Sequence, residues 1–373
     1  MKLLLVRLRP LGDVVFTTPL VRAIRERFPE ARLTYVVEPL SAPVVHANPL
    51  LDELIVADKR SGLARTRHDL ALGLALRRRH FDVAIDLHGG PRAAWLTWLS
   101  GAPRRIGYAI PGRAWMYTDR VARPPGLQPR HSVRNQWDLL VPLGIPPPEP
   151  GSHPLEMPEA PGATAAVAGR LATHGLMAGD ELLLVHVSAS NPFKRWPAER
   201  FVDLIAGALR GHPQRHAVVI SGPSEADAAA RVAAGVADAL AEPRARVWAE
   251  DVTLDELRAL AARASVYIGG DSGPLHVAAT TGTPIIALLG PTLAERSMPW
   301  RDARWYAEAV DAGPLPCRPC HQRTCEPGDF RCLSRIDTAR VLAAVERGLA
   351  AARCTDAGDA AGDENHRQEG PEP

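Results

Sequence analysis

The chain opens on a short apolar run, LLLVRL at residues 3–8, and passes through the turn RPLGD into residues 14–28, where apolar positions recur every third or fourth residue. A continuous run of that length reads as a buried strand, and the spaced pattern as a helix packed on one face. Further runs predict strands at 32–37, 53–56 and 82–87, with helical spacing at 67–79, 92–99 and 132–143. Strand and helix alternate, which implies a mostly parallel sheet covered on both faces.

The stretch GIPPPEPGSHPLEMPEAPG at 144–162 is rich in proline and glycine, as interdomain linkers are. Alternation then restarts, with a strand at 182–187, a helix at 197–209, a strand at 217–221 and a helix at 224–240. Thr253 with Glu256 three residues on predicts a capping box opening another helix. The reading is α/β with two βαβ domains in sequence, residues 1–150 and 151–354. Residues 355–373 carry six acids, one arginine and no large apolar side chain, so they are expected to be a disordered acidic tail.

A length of 373 residues suits two such domains better than one core. Apolar residues at 46% and charged residues at 23% are ordinary for a soluble globular protein. No window approaches the ~18 uninterrupted apolar residues of a membrane-spanning helix, and the basic first residues lack the apolar core and cleavage site of a signal peptide. A cytoplasmic, enzyme-like protein is expected. The net charge of +2 hides an asymmetry: residues 1–150 hold 22 Lys+Arg against 13 Asp+Glu, and the remainder 22 against 29. A basic first half suits anionic ligands or anionic lipid headgroups, against the plainer reading of solvated arginines.

Candidate chemistry gathers where strands give way to helices, the place where open α/β sheets bind ligands. In VYIGGDSGPLHVAATTGTPIIALLGPT, residues 266–292, an apolar run ends at two glycines followed by Asp271, Ser272, Gly273 and, on the next helix, His276. Glycine permits close approach of a phosphate to helix-start amides; the plainer reading makes Ser272 an N-cap and His276 a packed side chain. HVSASNPFKRWPAERF supplies Ser188, Ser190 and Lys194 after another strand, and SGPSEAD supplies Ser224 and Glu225 after a third. Three such turns in one domain suit a nucleotide diphosphate. Neither G-x-G-x-x-G after the first strand nor G-x4-G-K-[ST] is present, which disfavours dinucleotide and P-loop chemistry. In the first domain, RPLGDVVFTTP places Asp13 after the first strand, as a general base toward an acceptor hydroxyl or as an N-cap.

Cys317, Cys320, Cys325 and Cys332 form C-x2-C-x4-C-x6-C. The opening C-x2-C invites a metal reading, but the long separation between two knuckles is missing, and a packed thiol-rich loop is the simpler expectation.

The segments LLLVRLRPLGDVVFTTPLVRAIRERFPEARLTYVVE, HVSASNPFKRWP, IGGDSGPLHVAATTGTPIIALLGPT and CRPCHQRTC...CL, in this order, resemble glycosyltransferase family 9, the ADP-heptose:lipopolysaccharide heptosyltransferases. The resemblance spans about residues 1–350. It implies the GT-B fold, two Rossmann-like domains with parallel sheets facing a cleft, the acceptor on the first and the nucleotide sugar on the second. It implies an inverting transfer of heptose from ADP-heptose to a hydroxyl of the lipopolysaccharide inner core, without a metal or other cofactor. Asp13 matches the family's proposed base, Lys194 its phosphate-contacting lysine, and Asp271, Ser272, Gly273 and His276 its nucleotide site, with Ser272 where threonine is usual. Such an acceptor would place the protein in the cytoplasm or against the cytoplasmic face of the inner membrane, and it would need cations. Arg60 and Arg120 are the first candidates from the basic half. The competing readings are a related GT-B transferase or epimerase using another sugar nucleotide, a nucleotide-sugar binding protein without catalysis, and a zinc-organised module.

Overall fold

A computed structural model describes residues 1–149, 151–177, 179–222, 225–240 and 247–366, with side chains described as far as residue 353 except at 226 and 248. The chain forms two compact units, one of Met1–Ala163 with Ala294–Asp302, the other of Thr164–Leu293 with residues from Ala303 onward. Each contains one six-stranded sheet among the described residues, and every pairing is parallel.

In the first unit the strands are Lys2–Val6 (β1), Arg32–Val37 (β2), Glu53–Val56 (β3), Val83–Asp86 (β4), Arg104–Tyr108 (β5) and Asp119–Val121 (β6), in the order β3-β2-β1-β4-β5-β6. Leu3, Leu4, Leu5 and Val6 are fully buried, because β1 lies in the middle of a sheet covered on both faces. Helices Leu11–Val15 (α1), Thr18–Arg27 (α2), Gly62–Arg77 (α3), Pro91–Leu99 (α4) and Ser132–Trp137 (α5) connect or follow these strands. The single helix read at 14–28 is two. Thr17 and Thr18 donate their hydroxyls to the carbonyls of Val14 and Val15 at 2.6 and 2.9 Å, and Pro19 opens the second helix in a position that needs no amide hydrogen. The helix read at 132–143 likewise ends at Trp137 and continues as a 3-10 turn over Asp138–Leu143, which contains Pro142.

The second unit repeats the plan with Glu181–His186 (β7), Arg215–Ile220 (β8), Val247–Glu250 (β9), Val266–Gly270 (β10), Ile285–Leu289 (β11) and Ala307–Asp311 (β12), ordered β12-β11-β10-β7-β8-β9. Its helices are Ala163–Thr173 (α6), Ala198–Leu209 (α7), Ala226–Leu240 (α8), Leu254–Arg263 (α9), Gly273–Ala278 (α10), Arg331–Ser334 (α12) and Thr338–His366 (α13). The short helix Ala294–Ser297 (α11) belongs to the first unit, where Trp300 donates its indole hydrogen to the His153 carbonyl at 3.0 Å and its own carbonyl accepts from the Leu155 amide.

Helix α7 shows why the periodicity was readable: Phe201, Leu204, Ile205, Ala208 and Leu209 form the buried stripe that three- and four-residue spacing dictates. The capping box is formed as expected, with Thr253 Oγ1 accepting from the Glu256 amide at 3.2 Å and Glu256 Oε2 accepting from the Thr253 amide at 2.8 Å. Of the expected acidic tail, the backbone is helical to His366, while residues 367–373 and the side chains beyond 353 lie outside the described residues. Ser224 also lies outside them. Among the described residues no helix is long and apolar enough to cross a membrane.

Candidate active site

In the second unit the strand order reverses between β7 and β10, and the candidate nucleotide residues follow these two strands at their carboxyl ends. Lys194 lies in a 3-10 turn, Pro192–Lys194, beyond β7, and Asp271 directly follows β10. Lys194 Nζ donates to Asp271 Oδ2 at 2.7 Å, and His276 Nε2 lies 3.6 Å from Asp271 Oδ1. Burial would raise the Asp271 carboxyl, but the hydrogen bond from His276 and the charge of Lys194 outweigh it and hold the group well below the usual carboxylate range. The carboxylate therefore stays charged while almost wholly buried.

The neighbouring turn is built on His186, the last residue of β7. Its Nδ1 lies 3.4 Å from Ser272 Oγ and its Nε2 3.4 Å from Ser188 Oγ, so one buried imidazole joins the loops after β7 and β10. Burial pushes His186 down to about 4. Ser272 occupies the N-cap position of α10, but its hydroxyl makes no cap bond and turns instead to His186 and the Gly270 carbonyl. The helix-start amides are thus not covered by that hydroxyl. At Gly270 two backbones approach closely: a Cβ there would lie 3.0 Å from the Lys194 carbonyl oxygen.

Ser188 is buried and accepts from the Gly222 amide at 2.7 Å, tying the β7 turn to the β8 turn. Glu225 completes that edge: one carboxylate oxygen pairs with Arg195 at 2.8 Å, and the other is buried without a hydrogen-bond partner among the described residues. Ser190 is exposed on the same loop, away from these bonds.

The cysteine-rich segment braces this loop. Asn191 donates to Gln322 at 2.9 Å, and Phe193 meets Phe330 edge-on with ring centroids 5.2 Å apart. Cys317, Cys320, Cys325 and Cys332 are free thiols. Burial and then the proximity of the other three push Cys332 up to about 11. Among the described residues no group of three or more His, Cys, Asp or Glu side chains is arranged to hold a metal ion.

The first unit carries its own reversal, between β1 and β4. Asp13 lies in the first turn of α1, whose N-cap position is Pro10, so Asp13 is not the cap. It forms an ion pair with the buried Arg7, and Arg7 also donates to the Leu87 carbonyl at 2.5 Å. His88, just after β4, is pushed down to about 4 by burial and then by the positive charge of Arg7. Buried Asp86 accepts from Tyr117 at 2.5 Å and from the amides of His88 and Gly89, both at 2.8 Å.

Beside His88 opens a cavity of about 310 Å³ lined by Arg9, Glu38, Lys59, Arg60, Arg65 and Arg92, among others. Arg92 is neutralised there, bonded to Glu38 at 2.8 Å and to Asp69 at 2.7 Å. Arg60 is exposed on this cavity with Asp58 at 3.2 Å. Arg120 stands on the edge strand β6, exposed, and is not among the cavity's lining residues.

Sequence reasoning passed over Arg7, His88 and His186. Arg7 and His186 share a signal: each is a lone polar residue closing an apolar strand run at its carboxyl end.

A family model described as Glycosyltransferase family 9 (heptosyltransferase) matches residues 70–330. The chain belongs to glycosyltransferase family 9. Among its relatives, lipopolysaccharide heptosyltransferase 3 of Escherichia coli is 27% identical over 344 residues, 91% of this chain and 96% of that one. Among solved structures, the glycosyl transferase family 9 protein of Veillonella parvula DSM 2008 superposes with a TM-score of 0.80 at 26% identity, covering 93% of this chain and 97% of that chain. The E. coli ADP-heptose lps heptosyltransferase II gives 0.74 at 20% identity, covering 94% and 98%. This family 9 member is a glycosyltransferase enzyme, and its two parallel six-stranded sheets with covering helices are those of the GT-B fold.

Proposed function

We propose that the protein is an inverting, metal-independent transferase that moves a heptose from ADP-heptose to a hydroxyl of the lipopolysaccharide inner core. The observation that carries this reading is the meeting of Lys194 with Asp271 at the strand reversal of the second unit. An ammonium fixed at a strand's carboxyl end, next to helix-start amides not covered by the cap hydroxyl, suits the diphosphate of a leaving nucleotide. A fold shared with an ADP-heptose transferase and similarity to a lipopolysaccharide heptosyltransferase support the donor and acceptor classes.

In the proposed reaction the acceptor oxygen forms a bond to the anomeric carbon while the bond from that carbon to the β-phosphate oxygen breaks. Asp13 takes the acceptor's proton, and ADP leaves with the bonding electrons. Arg7 holds the Asp13 carboxylate in place through an ion pair. Negative charge grows on the diphosphate, where Lys194 supplies positive charge without a divalent cation. The Glu225 oxygen without a hydrogen-bond partner among the described residues suits a hydroxyl donor such as a ribose. Displacement from the face opposite the leaving group inverts the anomeric centre.

The test is to incubate purified protein with ADP-heptose and truncated lipopolysaccharide cores of increasing length, with and without EDTA. The expected result is one core that gains a heptose by mass, with equimolar ADP, an inverted anomeric configuration by NMR and no loss in EDTA. Free epimerised sugar without acceptor, or transfer only from another sugar nucleotide, would overturn it.

A further inference from the structure

Helix α3 presents its buried side through Asp69, Gly73 and Leu76, and Gly73 lets it press against α4, since a Cβ there would meet Leu99 at 2.4 Å. Its other side is unusual. Leu63, Leu70 and Leu74 are exposed, Leu63 by 80%, and with Arg67 they recur at spacings of four and three that place them on one stripe. In the adjoining α4, Trp95 is exposed and stacks on Trp98 with centroids 5.2 Å apart. Trp98 in turn meets Trp115 edge-on at 5.7 Å, and Trp115, on the 3-10 turn Ala114–Met116, is 56% exposed. One layer of the first unit thus shows solvent three leucines and two indoles, Trp95 and Trp115, joined through the half-buried Trp98.

The charge of this layer is one-sided. Arg67, Arg77 and Arg78 are exposed on or directly after α3, while its one acid, Asp69, is buried against Arg92. Between Leu87 and Thr118 the sequence holds no Asp or Glu. Indole rings favour the boundary between headgroups and acyl chains, and clustered arginines are drawn to anionic headgroups. A second copy docking here through a two-fold axis would set arginine against arginine with no acid to receive them.

We propose that α3, α4 and the Ala114–Met116 turn form a docking surface for a bilayer with anionic headgroups, the indoles and leucines entering the interface and the arginines contacting phosphates. The chain would lie on the membrane rather than span it. The surface is independent of the proposed sugar chemistry, because vesicle binding requires neither donor nor acceptor.

The full chain is floated with phosphatidylcholine vesicles and with vesicles containing phosphatidylglycerol, at low and high salt. It is expected to float with the anionic vesicles only, to be released by salt, and to show indole quenching by brominated acyl chains. Trp95→Ser with Trp115→Ser, and separately Arg67→Glu with Arg78→Glu, should each weaken binding at least ~10-fold, while Leu40→Ser, exposed elsewhere on the unit, leaves it unchanged. Unaltered thermal unfolding of each variant shows that the fold is kept. Absence of flotation, or flotation that both double variants retain, overturns the proposal. So does sedimentation showing that the tryptophan pair holds a dimer while vesicles bind nothing.

Discussion

Lys194 Nζ lies 2.7 Å from Asp271 Oδ2, joining the turn after β7 to the turn after β10. The pair spans the strand reversal of its sheet, so a side chain suited to a diphosphate is already aimed and its charge already balanced before a ligand arrives. In the proposed reaction a donor entering there would share the ammonium with Asp271, beside which His276 Nε2 lies 3.6 Å from Oδ1.

Lys194→Ala is expected to raise the KM for the sugar nucleotide and to lower kcat as well, because charge on the leaving diphosphate grows in the transition state. It also removes a charge partner from a buried carboxylate, and a stability loss of about 1–3 kcal/mol is expected in denaturant unfolding. Steady-state kinetics unchanged in both parameters would move the phosphate site elsewhere.

Asp13→Asn keeps the shape of the α1 turn and removes the proposed proton acceptor. Transfer should fall ~100-fold or more, with the KM for the donor unchanged, since the proposed nucleotide residues follow β7 and β10 in the other unit. A variant that transfers near the wild-type rate would reduce Asp13 to the partner of Arg7.

Gly270→Ala tests the close approach of two backbones. The added carbon meets the Lys194 carbonyl at 3.0 Å, and backbone yields less readily than a side-chain tip. Donor KM is expected to rise about 3–10-fold from misplacement of Lys194. Wild-type kinetics in a folded variant would mean that the turn relaxes without moving the ammonium.

His186 and His88 are both held neutral, each pushed down to about 4 from an ordinary value of 6.5. Between these values the unfolded chain binds more protons than the folded one, so stability is full above pH 6.5 and is lost as pH falls toward 4. For His186 the loss is on the order of 2–3 kcal/mol. Urea unfolding at pH 7, 6 and 5 should show this slope, and His186→Gln should flatten it while His88 maintains the remainder. A slope indifferent to His186 would contradict its neutral burial.

The alternation of strand and helix, both Rossmann-like sheets and the placement of Lys194, Asp271 and His276 beyond strand ends were legible because strand runs and strand-end turns are local in sequence. The pairing of Lys194 with Asp271 was not, since β8, β9 and the helices around them intervene between β7 and β10. The division of α1 from α2 was hidden by apolar positions that keep helical spacing across the break, while the deciding signal was two threonines and a proline. The role of the cysteine-rich segment could not be read from cysteine spacing at all, because the residues that touch the Lys194 loop are Gln322 and Phe330.

Arg60 and Arg120 were equal candidates in the sequence, and their surroundings now separate them. Arg60 lines the cavity beside His88, together with Arg9, Lys59 and Arg65, where Glu38 is already engaged by Arg92. Cations there exceed acids, as a site for a phosphorylated or carboxylated acceptor requires. Arg120 is exposed on edge strand β6 and does not line that cavity. Arg60→Ala should therefore raise the acceptor KM about 3–10-fold at low salt and less at high salt, where screening weakens the wild type too. Arg120→Ala should change it less than about twofold, in line with an isolated exposed charge. Donor KM should be unchanged in both. Equal effects of the two substitutions, or none at either salt, would leave the cavity without a role in acceptor binding and reduce the basic first half to solvated surface.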